Sequence, residues 1–341
     1  MRLLATSGVS VFDGWFNNFW IVLVIKAAVV LGFFLTAPLG VGYVEHKVLA
    51  HMQARLGPME AGRFHGWAQL IADGVKFIQK EDVIPAAADP LVFSLAPAVA
   101  LIPYIALIVV IPFSNTVFAE NLDIGIFFVL AMSSVSVIGI LMAGWSSANK
   151  FSLIGALRAA AQLIAYELPL VLVAAAVVMQ AGTLSMIGIA ESQHHWWNIV
   201  RPWQWPGFII FMVASLAELQ RPPFDMPVAD SEIIFGAYTE YTGLKFAFFL
   251  LSEYGGIVAL SAIASVLYLG GYQALPYGAA LPAPFWMLGK IGILSFVIIW
   301  LRATYPRLRE DQLQKMAWTV LIPLSLVTVM ATAVVRVAVT R

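Results

Sequence analysis

Carboxylate side chains are concentrated in one stretch of a chain that is otherwise poor in charge. Charged residues make up 11% of the sequence and hydrophobic residues 61%. Ionisable groups at membrane depth are costly, so a cluster of acids in apolar sequence predicts a proton path, an ion site or a polar ligand cavity. An ordinary solvated loop is the alternative interpretation. The acids of this stretch are Glu218, Asp225, Asp230, Glu232, Glu240 and Glu253.

A further acid, Glu167, lies in the apolar run of a predicted membrane span at 160–181. At 1.5 Å per residue, a position eight residues into that span is about 12 Å deep. A carboxyl group at such a depth must be protonated, paired or directed towards a polar interior. Closely spaced carboxylates cannot all ionise, so these acids are predicted to titrate as a coupled set, with Arg158 and Arg221 balancing their charge.

Other kinds of chemistry find little support in the sequence. The absence of cysteine excludes disulfides, cysteine-ligated iron–sulfur clusters and thiol catalysis within this chain. Lys plus Arg equals Asp plus Glu, so no net charge attracts nucleic acid. There is no nucleotide-binding fingerprint, and no histidine has a second ligand at the spacing of a metal site. The histidines are His46, His51, His65, His194 and His195.

Apolar runs along the whole chain must position these acids. With 341 residues and a mean hydropathy of +0.88, the chain is predicted to be a single polytopic membrane domain over 1–341. Backbone in lipid must satisfy its own hydrogen bonds, so an all-α fold with about eight transmembrane helices is expected. The predicted spans are 15–41, 91–113, 122–145, 160–181, 203–219, 243–269, 285–303 and 316–338.

Basic residues predict the orientation of this bundle. Four long polar loops hold 13 of the 19 Lys and Arg residues. The positive-inside rule therefore places these loops in the cytoplasm and both termini on the periplasmic side of a bacterial inner membrane. The last of them, 302–315, alternates Arg with acids and could either fix topology or dock a soluble partner.

The first cytoplasmic loop contains an amphipathic segment at about 65–81. Trp67, Leu70, Ile71, Val75 and Ile78 share one helical face, and polar residues occupy the other. This pattern is typical of a helix that lies in the membrane interface. The acidic loop is expected at about 220–243.

Four groups of motifs together resemble the membrane-embedded H subunit of the proton-translocating NADH–quinone oxidoreductase, respiratory complex I, whose mitochondrial counterpart is subunit 1. The likeness covers about residues 15–335. The first group is Gly66-Trp67-Ala68-Gln69 with Asp73, Lys76 and Lys80-Glu81. The second is Ala143-Gly144-Trp145-Ser146 with Lys150, Gly155, Arg158, Gln162 and Tyr166-Glu167. The others are Ala217-Glu218, Arg221, Pro223-Phe224-Asp225, Glu232, Gly236, Glu240 and Glu253-Tyr254, and then Arg302, Pro306-Arg307, Arg309, Asp311 and Trp318.

The resemblance implies a subunit without a cofactor of its own. Such a subunit forms a cavity that admits quinone from the bilayer, and its carboxylates link the quinone site to proton translocation. Flavin and iron–sulfur clusters are then expected only on partner subunits, and the implied partners are peripheral quinone-site subunits, small and antiporter-like membrane subunits, and lipid. The predicted coupling residues are the seven acids above, with Arg158 and Arg221. Those predicted for the quinone cavity are Arg55, Gly57, Pro58, Trp67, Asp73 and Phe224.

The chain departs from the family pattern at several positions. His46 stands where the family usually has Arg, and Ala148 and Phe151 replace Asn and Tyr. After Pro-Phe-Asp the family normally carries two glutamates, where this chain has Val228 and Asp230. The missing carboxylate leaves open a homologous membrane component of a hydrogenase-type complex that binds no quinone. A stand-alone ion-coupled transporter is a third hypothesis, which would require interrupted helices in two related halves.

Overall fold

The computed structural model describes residues 19–274 and 281–340 as a bundle of helices, and no strand occurs among these residues. Within these ranges, seven segments are long and apolar enough to cross a membrane, which confirms the predicted all-α integral membrane fold. Six of them are single helices: α1 Phe19–Met52, α3 Pro90–Val110, α4 Gly125–Ser146, α5 Lys150–Ala181, α9 Gly243–Tyr268 and α10 Ala283–Thr304. The seventh joins α11 Glu310–Met316, a π-helical turn Ala317–Leu321 and α12 Ile322–Thr340.

Shorter helices connect these segments. They are α2 Gln69–Gln79, α6 Met186–Glu191, α7 Trp205–Glu218 and α8 Asp230–Ile233, with 3₁₀ turns at Asn198–Val200, Pro202–Gln204, Met226–Val228 and Gly236–Tyr238. The predicted fifth span becomes α7, whose 14 residues rise only about 21 Å at 1.5 Å per residue. The predicted interfacial helix is α2, and none of its residues is buried within the chain.

Two membrane helices extend further into the predicted cytoplasmic loops than the apolar pattern indicated. The first predicted span ends at residue 41, whereas α1 continues to Met52; the predicted start at residue 15 lies outside the described residues. The predicted fourth span starts at 160, whereas α5 starts at Lys150, where the Asn149 side chain caps it by accepting a hydrogen bond from Phe151 N at 2.9 Å. Glu167 is therefore 17 residues from the start of α5, about 25 Å along the helix axis rather than 12 Å.

The C-terminal end of α9 is capped by buried polar side chains. Gln193 donates to Val266 O and Asn198 donates to Leu267 O, both at 2.7 Å. Lys290 donates to the carbonyl oxygens of Leu269, Gly271 and Gln273 at 2.6–2.7 Å, with its ammonium 4.1 Å from the Trp197 ring centroid. The last carbonyls of a helix have no partner within it, so these side chains supply the missing donors inside the bundle.

The acidic loop packs directly on α5. Gly155 of α5 approaches so closely that a Cβ there would lie 2.6 Å from both Ala237 N and Pro227 O. Gly236 has φ +51°, and a Cβ would lie 1.7 Å from Pro227 O. Only glycine fits such contacts, so these two residues set the position of the loop against the helix.

Candidate functional site

A buried ionic cluster joins α1, α9 and the start of the acidic loop. The Arg221 guanidinium donates a hydrogen bond to Glu45 of α1 and forms an ion pair with Glu253 of α9, whose Oε1 lies 2.6 Å from Arg221 Nε. Arg302 donates to the other oxygen of Glu45. The exposed fraction of the side chain is 1% for Arg221 and 2% for Glu45 but 32% for Glu253. Two arginines and two carboxylates therefore balance in charge, and Glu253 is the acid with access to the surrounding space.

Glu253 borders a cavity of about 40 Å³ that also touches Glu218. Tyr104 and Ser136 line the same cavity, and their hydroxyl oxygens lie 3.2 Å apart. A cavity of about 10–15 Å³ already accommodates a water molecule when polar groups surround it. The space between the two acids is therefore large enough and polar enough for water.

A second, smaller cavity of about 10 Å³ lies between Glu218 and Glu167. Three polar atoms of its lining residues, Glu218 Oε1, Gln162 Oε1 and the Tyr166 hydroxyl, are buried without a hydrogen-bond partner among the described residues. On the far side, Ser134 donates to Glu167 Oε1 at 2.5 Å. A single water could satisfy the three orphaned atoms, since a buried water typically makes about three hydrogen bonds.

Two of the predicted coupling acids belong to a different, more exposed ionic cluster. Glu232 accepts from Arg158 at 2.5 Å, and Asp225 lies 3.0 Å from Arg307. Arg307 also lies 3.7 Å from Glu232, so it links the two pairs. The hydrogen bond from Arg158 lowers the pKa of Glu232, which keeps this carboxylate charged at neutral pH. The cluster ties the acidic loop to α5 and to the segment before α11.

Glu240, another predicted coupling acid, lies apart from both clusters. Glu240 accepts a hydrogen bond from Asn149, the capping residue of α5, at 2.6 Å. Asp230 begins the short helix α8, and its side chain lies outside what the structure describes. Among the described residues, no group of three or more His, Asp or Glu is arranged to hold a metal ion.

An apolar crevice of about 330 Å³ lies between α1, α2 and α9. Its walls are mainly aliphatic and aromatic, and Asp73 and Tyr254 supply polar groups; typical wall residues are Leu35, Pro38, Leu70, Phe77 and Leu251. The Arg221 guanidinium carbon lies 4.7 Å from the centroid of the Tyr254 ring, so this residue joins the crevice to the buried ionic cluster. Such a volume and composition suit a mostly apolar ligand with few polar anchors.

Of the residues predicted for a quinone cavity, Asp73 alone is among those that line this crevice. Arg55 is exposed and donates to Gln53 at 2.8 Å, while Trp67 donates to Gly62 O at 3.1 Å. Gly57, with φ +71°, and Pro58, whose carbonyl accepts from Lys47, form the turn that follows α1. Phe224 is buried elsewhere, with its ring 5.4 Å from that of Tyr166.

Sequence reasoning missed the importance of Glu45 and Arg302, which it assigned to loops. Both lie within helices, and Glu45 is one of the few fully buried charged residues described. The available signal was that Glu45 directly follows the apolar run GVGYV, so that α1 could continue through it. Arg307 was named as a residue of the last loop motif but not as a partner of the acids, although it contacts both Asp225 and Glu232.

Comparison with known proteins identifies the family. A family model described as NADH dehydrogenase matches residues 25–333. The H subunit of NADH-quinone oxidoreductase from Dehalococcoides mccartyi strain CBDB1 is 46% identical over 317 residues, covering 93% of this chain and 88% of that protein. The corresponding protein of Geobacillus kaustophilus is 42% identical over 86% and 87% of the two chains, and that of Brevibacillus brevis 41% over 94% of each. The chain therefore belongs to the family of the membrane-embedded H subunit of NADH–quinone oxidoreductase, complex I.

Proposed function

We propose that this chain forms the quinone cavity of a proton-translocating NADH–quinone oxidoreductase and couples quinone reduction to proton translocation. One observation carries the proposal: shared residues connect the apolar crevice to Glu167. Tyr254 lines the crevice and contacts Arg221; Arg221 binds Glu253; Glu253 and Glu218 border one cavity, and Glu218 and Glu167 border the next. This continuous series of polar groups crosses an otherwise apolar bundle.

The charge arrangement explains how quinone chemistry would act on this series. Reduction of a quinone to a neutral quinol takes up two electrons, which would come from the peripheral subunits, and two protons. The charge near the crevice becomes more negative in the interval between arrival of the electrons and uptake of the protons. Arg221 forms ion pairs with both Glu45 and Glu253, and a charge change at Tyr254 alters the balance between the two pairs. Glu253, the more exposed partner, then exchanges a proton with the cavity that leads to Glu218. Glu218 borders one cavity with Glu253 and the other with Glu167, so a proton can pass along the series through water in these cavities.

The other predicted site residues take supporting roles in this proposal. Asp225 and Glu232, with Arg158 and Arg307, hold the acidic loop over the end of α5, and Glu240 fixes the same loop through Asn149. Asp230 remains a predicted coupling acid. Asp73 provides a polar anchor inside the crevice, while Arg55, Gly57, Pro58 and Trp67 form the surface beside α2 where a quinone would leave the bilayer. Phe224 packs beneath the acid series, next to Tyr166.

The proposed setting is the bacterial cytoplasmic membrane, with both termini on the periplasmic side. The cytoplasmic loops would contact the peripheral subunits that carry flavin and iron–sulfur clusters, and the lipid-facing helices would contact the small and antiporter-like membrane subunits. The names of the relatives support membership of an NADH–quinone oxidoreductase complex. The orientation in the membrane is proposed from the basic loops.

Isolation of the complex tests the proposal. The chain is tagged, extracted from its own membranes in mild detergent, and its co-purifying proteins are identified by mass spectrometry. Flavin and iron–sulfur subunits, together with NADH-dependent and inhibitor-sensitive quinone reduction, are the expected result. A chain recovered alone would overturn the proposal.

One structural observation favours a second candidate. Val228, which stands where the family pattern has a glutamate, lines the cavity between Glu218 and Glu253. This branch of the family could therefore serve a hydrogenase-type complex without quinone. Recovery of a nickel–iron hydrogenase module in the same isolation would establish that alternative.

A further inference from the structure

The two small cavities of the acid series meet at the end of α7. Glu218, the last residue of that helix, and Gln220 border both of them. Glu167 borders the smaller cavity only, and Glu253 the larger one only. Any water-mediated connection between these two acids therefore passes Glu218 and Gln220.

The backbone of Gln220 is unusual for a residue with a side chain. Its φ is +54°, and its amide donates to Ala217 O at 3.0 Å, so the chain turns sharply as it leaves α7. Left-handed backbone is uncommon outside glycine. The next residue, Arg221, donates its amide to Leu216 O and begins the path to the buried ionic cluster. The turn thus brings one polar side chain to the border of both cavities, directly before the arginine that pairs with Glu253.

The polar lining of both cavities points to water as their occupant. The larger one, at about 40 Å³, has hydroxyl groups from Tyr104, Ser136 and Ser252 along its wall. The smaller one has the three orphaned polar atoms described above. A carboxamide carries both a donor and an acceptor, so Gln220 can orient a water molecule towards either neighbouring carboxylate.

We propose that Gln220 is a positioning residue that orients the water joining Glu218 to Glu253 and keeps the two cavities connected. This inference rests on the proposed function of the acid series. Gln220 would act through this water, because its side chain carries no charge and is not proposed to bind quinone or either carboxylate directly.

Two substitutions separate a water-positioning role from a packing role. Gln220→Leu has a side chain of similar size and must adopt the same positive φ, but it has no polar group. Gln220→Gly removes the same amide, suits the positive φ and leaves space that additional water can fill. If Gln220 positions water, the leucine variant loses coupled activity and the glycine variant retains most of it.

The measurements are made on the whole complex in its native membranes. NADH oxidation with an artificial acceptor gives the amount of assembled complex, and quinone reduction and acidification are normalised to it. The leucine variant is expected to lose about tenfold in quinone reduction and pumping, which is less than the about 10²–10⁴-fold contribution of a group that itself transfers the proton. The glycine variant is expected to remain within about threefold of the parent. Equal, near-parental activity of both variants would overturn the proposal, as would equal loss in both.

Glu218→Gln distinguishes this inference from the proposed function itself. If Glu218→Gln blocks coupled activity but Gln220→Leu does not, the acid series stands and only the role of Gln220 fails. If Glu218→Gln has no effect, the proposed function fails. If Gln220→Leu prevents assembly, Gln220→Met provides a less branched apolar replacement for the same comparison.

Discussion

Arg221 and Glu45 are separated by 176 residues in the sequence and form an ion pair that is almost completely buried. Glu253 occupies another edge of the same guanidinium. An arginine can serve two carboxylates at once because its planar fork presents several donors in fixed directions.

The effect of replacing Arg221 is expected to depend on whether the new side chain still offers a positive charge to the two acids. Arg221→Lys keeps the charge but not the fork, so we expect assembled complex with quinone reduction lowered by about tenfold. Arg221→Leu leaves the buried carboxylate of Glu45 with one fewer partner, which costs about 3–5 kcal/mol and prevents stable assembly. Native gel electrophoresis measures assembly, and NADH:quinone activity measures function. Full activity in the lysine variant would contradict the proposed role of the fork.

Glu218→Gln is expected to reduce quinone reduction and proton pumping together. The amide has nearly the shape of the carboxyl group but cannot release a proton, so the series between Glu253 and Glu167 is interrupted. Electron transfer from NADH to artificial acceptors, which takes place in the peripheral subunits, should be unchanged. Normal pumping in this variant would refute the proposed role of Glu218. Glu240→Gln is the matched control, because Glu240 binds Asn149 outside the series.

The Arg158–Glu232 pair predicts a pH dependence of the acidic loop. Arg158 lowers the pKa of Glu232, so the contribution of the pair is complete above the ordinary glutamate pKa of about 4.3 and is lost as the pH falls through the lowered value. Limited proteolysis of the 220–242 segment in the purified complex should therefore accelerate only at acidic pH. Glu232→Gln should show faster cleavage already at neutral pH, with a smaller change on acidification. Since the pair is partly exposed, the effect on stability should be within about 1 kcal/mol.

Gly155→Ala is expected to displace the acidic loop from α5. The added methyl would lie 2.6 Å from two backbone atoms of the loop, and backbone cannot move aside as a flexible side chain can. Overpacking of this kind costs about 1–3 kcal/mol. We expect lower thermal stability of the complex and weaker quinone reduction. Gly292→Ala, in α10, is the control and should behave like the parent, because nothing lies within 4 Å of the added methyl and Gly292 does not border the crevice.

Lys290→Met should destabilise the bundle although it makes the sequence more hydrophobic. Lys290 is 5% exposed and donates to three carbonyl groups, which would remain buried without a donor. Each unsatisfied buried group costs about 1–3 kcal/mol. A lower temperature of complex dissociation is the expected observation; an unchanged or higher temperature would show that the lysine does not stabilise this end of α9.

The fold was largely predictable because membrane helices leave a strong apolar signal, and five predicted spans agree closely with the long helices α3, α4, α9, α10 and α12. The errors occurred where polar residues continue a helix. Glu45 belongs to α1 because Arg221 and Arg302 neutralise it, and both partners are distant in sequence. Only the folded chain brings such charges together.

The acid cluster was predicted as one group, but the structure separates it into two. Glu167, Glu218 and Glu253 follow the small cavities, whereas Asp225 and Glu232 form exposed pairs with arginines. Neighbouring positions in an irregular loop point in different directions, and helical periodicity does not apply to them. Spacing alone therefore could not predict the direction of each carboxylate.

The capping of α9 has a mechanical consequence. Gln193, Asn198 and Lys290 hold one end of a 26-residue helix by several hydrogen bonds, while Glu253, near the middle, faces the cavities. The opposite end of α9 is held as well, because Lys245 lies 2.8 Å from Asp82 in the loop that follows α2. A helix held at both ends cannot slide along its axis or tilt as a whole. A change in charge at Glu253 must therefore be accommodated by the side chains and the cavities around it rather than by movement of the helix.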